Sequence, residues 1–214
     1  MLQIYKLVIL CLLSVTLQIS SGRFNSVPMS KLATCNEFVT DSKECEHYFP
    51  LDYMKNYRSE KYSLYFKLYV FSYHDANLVL SNTKSGADCR VVIGGWSNTL
   101  SVLHCNGKDL DKTSIKNITS PMWPIPVVIR QTVCGWLDIS IPGIAEPLLT
   151  ANVGNLNFNY ICLFAYGSTN RWFYNCTEEE DNFYESRSNN CTIFSEFRRI
   201  EGSQTKKQSD NCNN

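Results

Sequence analysis

The chain has 214 residues, 20 of them Lys or Arg and 20 Asp or Glu, so its formal charge is near zero with both signs interspersed. That balance excludes the basic stripe that nucleic-acid binding requires, and neither internal repeats nor low-complexity blocks interrupt the body. Ten cysteines and an aromatic share of 13% instead suit a disulfide-bonded, strand-rich protein.

In chain order, residues 1–22 read as a signal peptide. Lys6 supplies the positive start, Leu7 to Leu17 form a short apolar run, and Ser20 and Gly22 are the small residues a signal peptidase reads. A short membrane anchor is the competing reading, but the run falls well short of the ~20 residues a spanning helix needs. No later segment is apolar enough to span a membrane, so the expected location is secreted. Residues 23–56 carry Cys35, Cys45 and few strand signals, and are expected to strap onto the body through a disulfide.

The remainder to residue 177 is expected to be one domain. Tyr62, Leu64, Phe66, Leu68 and Val70 alternate with Ser63, Tyr65, Lys67 and Tyr69, the period of a strand with one apolar face. Similar runs fall at 77–81, 88–94, 99–105, 125–130, 135–141, 146–150, 159–166 and 171–175. The breaks hold Gly, Pro, Asn and Asp, as at Pro142-Gly143 and Asn152 to Asn157. Many short strands at regular spacing predict an all-β fold, an antiparallel, jelly-roll-like sandwich. Residues 178–214 form a polar extension: an acidic stretch at 178–190, a short helix over Thr192 to Ile200, then a tail too polar to order itself.

Cys11 leaves with the signal peptide, and nine cysteines remain: Cys35, Cys45, Cys89, Cys105, Cys134, Cys162, Cys176, Cys191 and Cys212. In an oxidising compartment they form a disulfide framework. Their odd number leaves one thiol free or bonded to a second chain, with Cys212 favoured, so a disulfide-linked dimer is one expectation. Metal binding is the competing reading, but Cys45-Glu46-His47 supplies too few ligands. Asn117, Asn175 and Asn190 begin glycosylation sequons, and the last two carry cysteine at the middle position.

The segment Arg90-Val-Val-Ile-Gly-Gly-Trp-Ser-Asn-Thr-Leu-Ser-Val102 reads as a hairpin, since Gly and Asn accept the positive φ of a reversal. A turn centred on Ser97 sets Val92 opposite Val102, Val91 opposite Leu103 and Cys89 opposite Cys105, which predicts a Cys89–Cys105 bridge. The same register sets Arg90 opposite His104.

The hairpin's I-G-G-W-S-N-T-L-S core resembles the central motif of the farnesoic acid O-methyltransferase-like domain of arthropod proteins. Similar segments follow the family's order over roughly residues 57–177: His74-Asp-Ala-Asn-Leu-Val-Leu-Ser81, Trp123, Gly135-Trp-Leu-Asp-Ile-Ser140, and Ile161 through Trp172. In that family the positions of Arg90 and His104 usually hold an acid and a base; here both are basic. The resemblance implies a methyltransferase using S-adenosylmethionine on farnesoic acid or a related terpenoid acid. The residues themselves argue otherwise, because Gly94-Gly95 runs into Trp96 and a strand rather than into a helix. No cofactor is therefore expected. His74-Asp75 invites a triad reading but lacks a nucleophile elbow, and Asp75 is expected to cap a turn.

The expected function is a secreted, non-enzymatic binding module for a sugar, a lipid-like molecule or a protein, with the methyltransferase as the alternative. The expected site is a stacking platform of Trp96, Asn98 and Thr99 with Thr169, Asn170 and Trp172. The competing reading places both tryptophans in the core.

Overall fold

Alternation in the sequence becomes two faces of a sheet, and in the computed structural model, which describes residues 27–177, two such sheets pack face to face. The strands are β1 Asn36–Thr40, β2 Tyr48–Pro50, β3 Tyr62–Phe71, β4 Ala76–Ser81, β5 Cys89–Gly94 and β6 Leu100–Cys105. They continue with β7 Lys108–Thr113, β8 Ile125–Thr132, β9 Trp136–Ser140, β10 Leu149–Asn152, β11 Tyr160–Ala165 and β12 Asn170–Tyr174. The first sheet has the order β1-β12-β3-β8-β9-β10 and the second β2-β11-β4-β5-β6-β7. Each pairing is antiparallel, so the fold is the expected antiparallel β-sandwich.

Leu64, Phe66, Leu68 and Val70 of β3 point inward to meet Leu78 and Leu80 of β4, Val91 and Ile93 of β5, and Leu103 of β6. Each such side chain, removed from water, contributes about 1.5–3 kcal/mol, and together they hold the sheets face to face. Trp172 of β12 belongs to this core and is 0% exposed.

The segment before β3 is more ordered than its composition suggests. It holds β1, β2 and short 3-10 turns at Met29–Thr34 and Leu51–Met54. β1 and β2 are edge strands, one on each sheet, so each pairs on one side only and needs no strong alternation. Leu32 packs with Tyr69, Phe71 and Phe173 on the outer face of the first sheet, and Cys35 bonds to Cys176. Tyr48 packs with Val79, Cys162 and Phe164 on the outer face of the second, and Cys45 bonds to Cys162. Cys134 is also disulfide-bonded.

Two further differences concern polar sequence. β7, Lys-Asp-Leu-Asp-Lys-Thr, has no apolar alternation because it is an edge strand with no buried residue, and its half-buried Asp111 accepts from the Thr150 N–H of β10. The run expected at 146–150 becomes β10 at Leu149–Asn152, since Pro147 lacks an N–H for the ladder. The signal peptide, the C-terminal helix, Asn190, Cys191 and Cys212 lie outside the described residues. No helix among the described residues is long and apolar enough to cross a membrane.

Candidate ligand-binding cleft

The hairpin register follows from the sequence residue by residue: Cys89 faces Cys105, Arg90 His104, Val91 Leu103 and Val92 Val102. Alternation then sorts these pairs by face. Val91, Leu103 and the Cys89–Cys105 disulfide lie in the core, so Arg90, Val92, Val102 and His104 share the outer face. There they join Asn77 of β4 as the floor of a cleft of about 600 Å³. Trp96 of the β5–β6 turn and Tyr166 after β11 also line it, and both are exposed, at 60% and 55%.

Trp96 is held there by an unusual backbone. Gly94 has φ +62°, and Trp96, Ser97 and Asn98 follow at +50°, +58° and +63°, one turn of left-handed helix closed by the Thr99 N–H donating to the Gly95 carbonyl at 3.0 Å. For a side chain as large as tryptophan this conformation costs about 1–2 kcal/mol. Asn98 offsets the strain. Its Nδ2 donates to the Thr119 carbonyl at 2.8 Å, its Oδ1 accepts from the Thr119 N–H at 3.1 Å, and its own carbonyl accepts from the Asn117 N–H at 2.8 Å. Gly94 is required by torsion, and both glycines by contact. A Cβ on Gly94 would lie 2.6 Å from Asn98 Oδ1, and one on Gly95 would lie 2.8 Å from Val92 Cγ1.

The cleft's charged groups are mostly already paired. His74 Nδ1 is 2.6 Å from Asp75 Oδ2, and His104 Nδ1 is 2.7 Å from Asp109 Oδ1 on β7. Arg90 donates to Asn77 Oδ1 at 3.1 Å, and its guanidinium lies over the Phe164 ring, 4.9 Å from the centroid. The two basic residues expected to face each other thus find separate partners. Asp75 does not cap a turn with its carboxylate. Its φ of +55° turns that group onto His74, while its main-chain carbonyl accepts from Asn77 and Asn170.

Of the six residues expected to form the platform, Trp96 alone lines the cleft. Trp172 is core, because β12 lies inside the first sheet with that side chain turned inward. Asn170 is also buried, and its amide donates to the Asp75 and Phe164 carbonyls, bracing the loop rather than facing solvent. Asn98 turns its amide away toward Thr119, and Thr99 Oγ1 donates to the Trp96 carbonyl to close the turn. Thr169 is exposed and does not line the cleft. The floor residues were missed for a physical reason. Both faces of the hairpin carry apolar pairs, so alternation alone did not say which face meets water; the two unpartnered bases were the available signal. Of the sequons, Asn117 is exposed behind the Trp96 turn, and Asn175 is half-buried beside the Cys176 disulfide.

A family model described as farnesoic acid O-methyl transferase matches residues 42–178. The chain belongs to this family. No curated protein matches it. Among solved structures, the chain is similar to the binding domain of botulinum neurotoxin DC in complex with SialylT, at 14% identity and TM-score 0.36. It is also similar to that domain in complex with rat synaptotagmin II, at 12% identity and 0.35, and to the botulinum neurotoxin serotype C1 binding domain, at 12% and 0.36. These matches cover 65% of this chain and 41%, 42% and 42% of the neurotoxin chains, so it spans about two fifths of their length.

The family description implies S-adenosylmethionine, and the glycines at the hairpin do not fit it. Gly94-Gly95 leads through the left-handed turn straight back into β6, with no helix N-terminus behind it to receive a cofactor.

Proposed function

We propose that this member of the farnesoic acid O-methyltransferase family is an extracellular, non-enzymatic binding module whose ligand is a saccharide held in the outer-face cleft. The observation that carries the reading is Trp96, an exposed indole kept in a strained left-handed turn at the edge of a cleft lined by planar polar side chains. Strain of this kind persists only where surrounding contacts enforce it, and it concentrates at ligand sites.

The choice of saccharide follows from the lining. A sugar ring offers an apolar C–H face to stack on an indole or phenol, and hydroxyls that both donate and accept. Arg90, His104 and Asp109 supply the complementary groups. A lipid chain needs an enclosed apolar tunnel, whereas the aromatic walls here stand open to water. Three disulfides among the described residues support an oxidising, extracellular setting, in keeping with removal of residues 1–22 as a signal peptide.

A glycan-array screen of the purified protein tests the proposal, with Trp96→Ala alongside. The expected result is binding to a defined set of saccharides, lost in Trp96→Ala while the melting temperature holds. An array without hits, or hits indifferent to Trp96, contradicts it. The second reading, methyl transfer to a terpenoid acid, is favoured only by the family description. Calorimetric binding of S-adenosylmethionine would support it, and no heat at millimolar cofactor would end it.

A further inference from the structure

We infer that the cleft selects anionic saccharides, sugars bearing a carboxylate or sulfate, and that Arg90 reads the anion. This rests on the proposal that the cleft binds a sugar, and adds the class of sugar.

The charge inventory of the cleft is the starting point. Both of its carboxylates already have a histidine within hydrogen-bonding distance, Asp75 through His74 and Asp109 through His104. Arg90 differs. Among the described residues it forms no ion pair, and its one hydrogen-bond partner is the neutral amide of Asn77. A guanidinium carries five N–H donors in a planar fork, so most of this one's donors are left for something else.

The fork is also held in place. Phe164 lies against the guanidinium, and Asn77 fixes one terminal nitrogen. A positioned guanidinium loses less freedom on binding than a mobile lysine, and its geometry matches the paired oxygens of a carboxylate or sulfate. Lys43 adds a second cation at the same edge, with its ammonium 5.8 Å from the centroid of the Tyr166 ring. Trp96 across the cleft supplies the stacking surface. The anion and the ring face are therefore read by different side chains, which makes the two contributions separable by mutation.

The test titrates wild type, Arg90→Gln, Arg90→Lys and Trp96→Ala with four classes of probe. Oligogalacturonate carries carboxylates only, keratan sulfate oligosaccharides carry sulfates only, chitohexaose and maltohexaose are neutral, and polyglutamate is an anion without sugar rings. The expected result is at least tenfold tighter binding of one or both anionic sugars than of the neutral ones, weakening as salt rises. Arg90→Gln should remove that preference, weakening the anionic sugars at least tenfold more than the neutral ones, and Arg90→Lys should restore part of it. Trp96→Ala should weaken both kinds of sugar. Thermal melts identify any variant that fails to fold, and in that event Arg90→Lys carries the test of the fork.

The contrary results are distinct. Equal binding of neutral and anionic sugars by wild type overturns the anion selectivity and leaves the saccharide site standing. A preference that survives in Arg90→Gln overturns the role of Arg90, and polyglutamate binding as well as oligogalacturonate reduces the effect to charge alone. Failure of every sugar to bind overturns the saccharide reading together with the selectivity.

Discussion

At the scale of single residues, the tryptophans of the hairpin and of β12 are opposites in burial, Trp96 exposed and Trp172 in the core. Trp172 is fully buried, and its indole N–H has no hydrogen-bond partner among the described residues. Replacing it with alanine should cost about 3–5 kcal/mol, the range for deleting a large aromatic from a core. Trp172→Phe should cost far less, because it keeps most of the ring and removes an unsatisfied donor. Denaturant titration of both variants checks this, and equal losses would contradict it. Trp96 should behave in the opposite way. Trp96→Gly relieves the left-handed strain of about 1–2 kcal/mol at an entropic cost of about 0.5–1 kcal/mol. The variant should melt no lower than wild type while losing saccharide binding. A clear drop in melting temperature would make Trp96 a structural residue.

Among elements, the hairpin of β5 and β6 was the most legible part of the chain. Alternation of Val91, Val92, Val102 and Leu103 about a Gly-Gly-Trp-Ser-Asn centre fixed its register, and the register fixed the facing cysteines. A loop of 16 residues closed by a disulfide is worth about 3 kcal/mol in the chain-entropy account. The Cys89→Ala/Cys105→Ala double variant should therefore lose about 2–3 kcal/mol in chemical denaturation and weaken ligand binding by loosening the Trp96 turn. A loss below about 1 kcal/mol would mean that the ladder alone holds the hairpin. What the sequence did not disclose was governed by contacts distant along the chain. β1, β2 and β7 are edges whose pairing comes from β12, β11 and β6, so their own residues carry little pattern. Asn170 looked like surface chemistry because nothing local revealed that β12 lies inside its sheet, and for Trp172 that placement decides for the core reading over the platform. Arg90 and His104 stand out in the sequence as a facing pair of bases, but the partners that explain them, Asn77, Phe164 and Asp109, lie on three other strands.

For the whole molecule, the N-terminal strap is fastened to the outer faces of both sheets. It reaches the first sheet through Cys35–Cys176 and the second through Cys45–Cys162, closing loops of 141 and 117 residues. Tyr48 helps to hold it down, its hydroxyl donating to the Gly86 carbonyl at 2.7 Å. Burial, aided by the nearby Asp88 carboxylate, raises the pKa of that phenol above 10.0, and burial raises that of Tyr174 likewise. The folded protein therefore holds these protons more tightly than the unfolded chain. Their contribution is whole below pH 10 and is lost as pH rises through the folded-state values. Melting temperature should fall as pH rises above 10, and less steeply in Tyr48→Phe. An identical slope in that variant would remove Tyr48 from the account.

A methyl-resolved NMR titration with oligogalacturonate tests most directly whether a saccharide occupies the outer face of the β5–β6 hairpin. The methyl groups of Val92 and Val102 face the cleft, whereas those of Val91 and Leu103, one residue away on the same strands, face the core. With a sugar in the cleft, the signals of Val92 and Val102 should shift while those of Val91 and Leu103 hold. Val92 and Val102 signals that stay fixed at saturating sugar would contradict it.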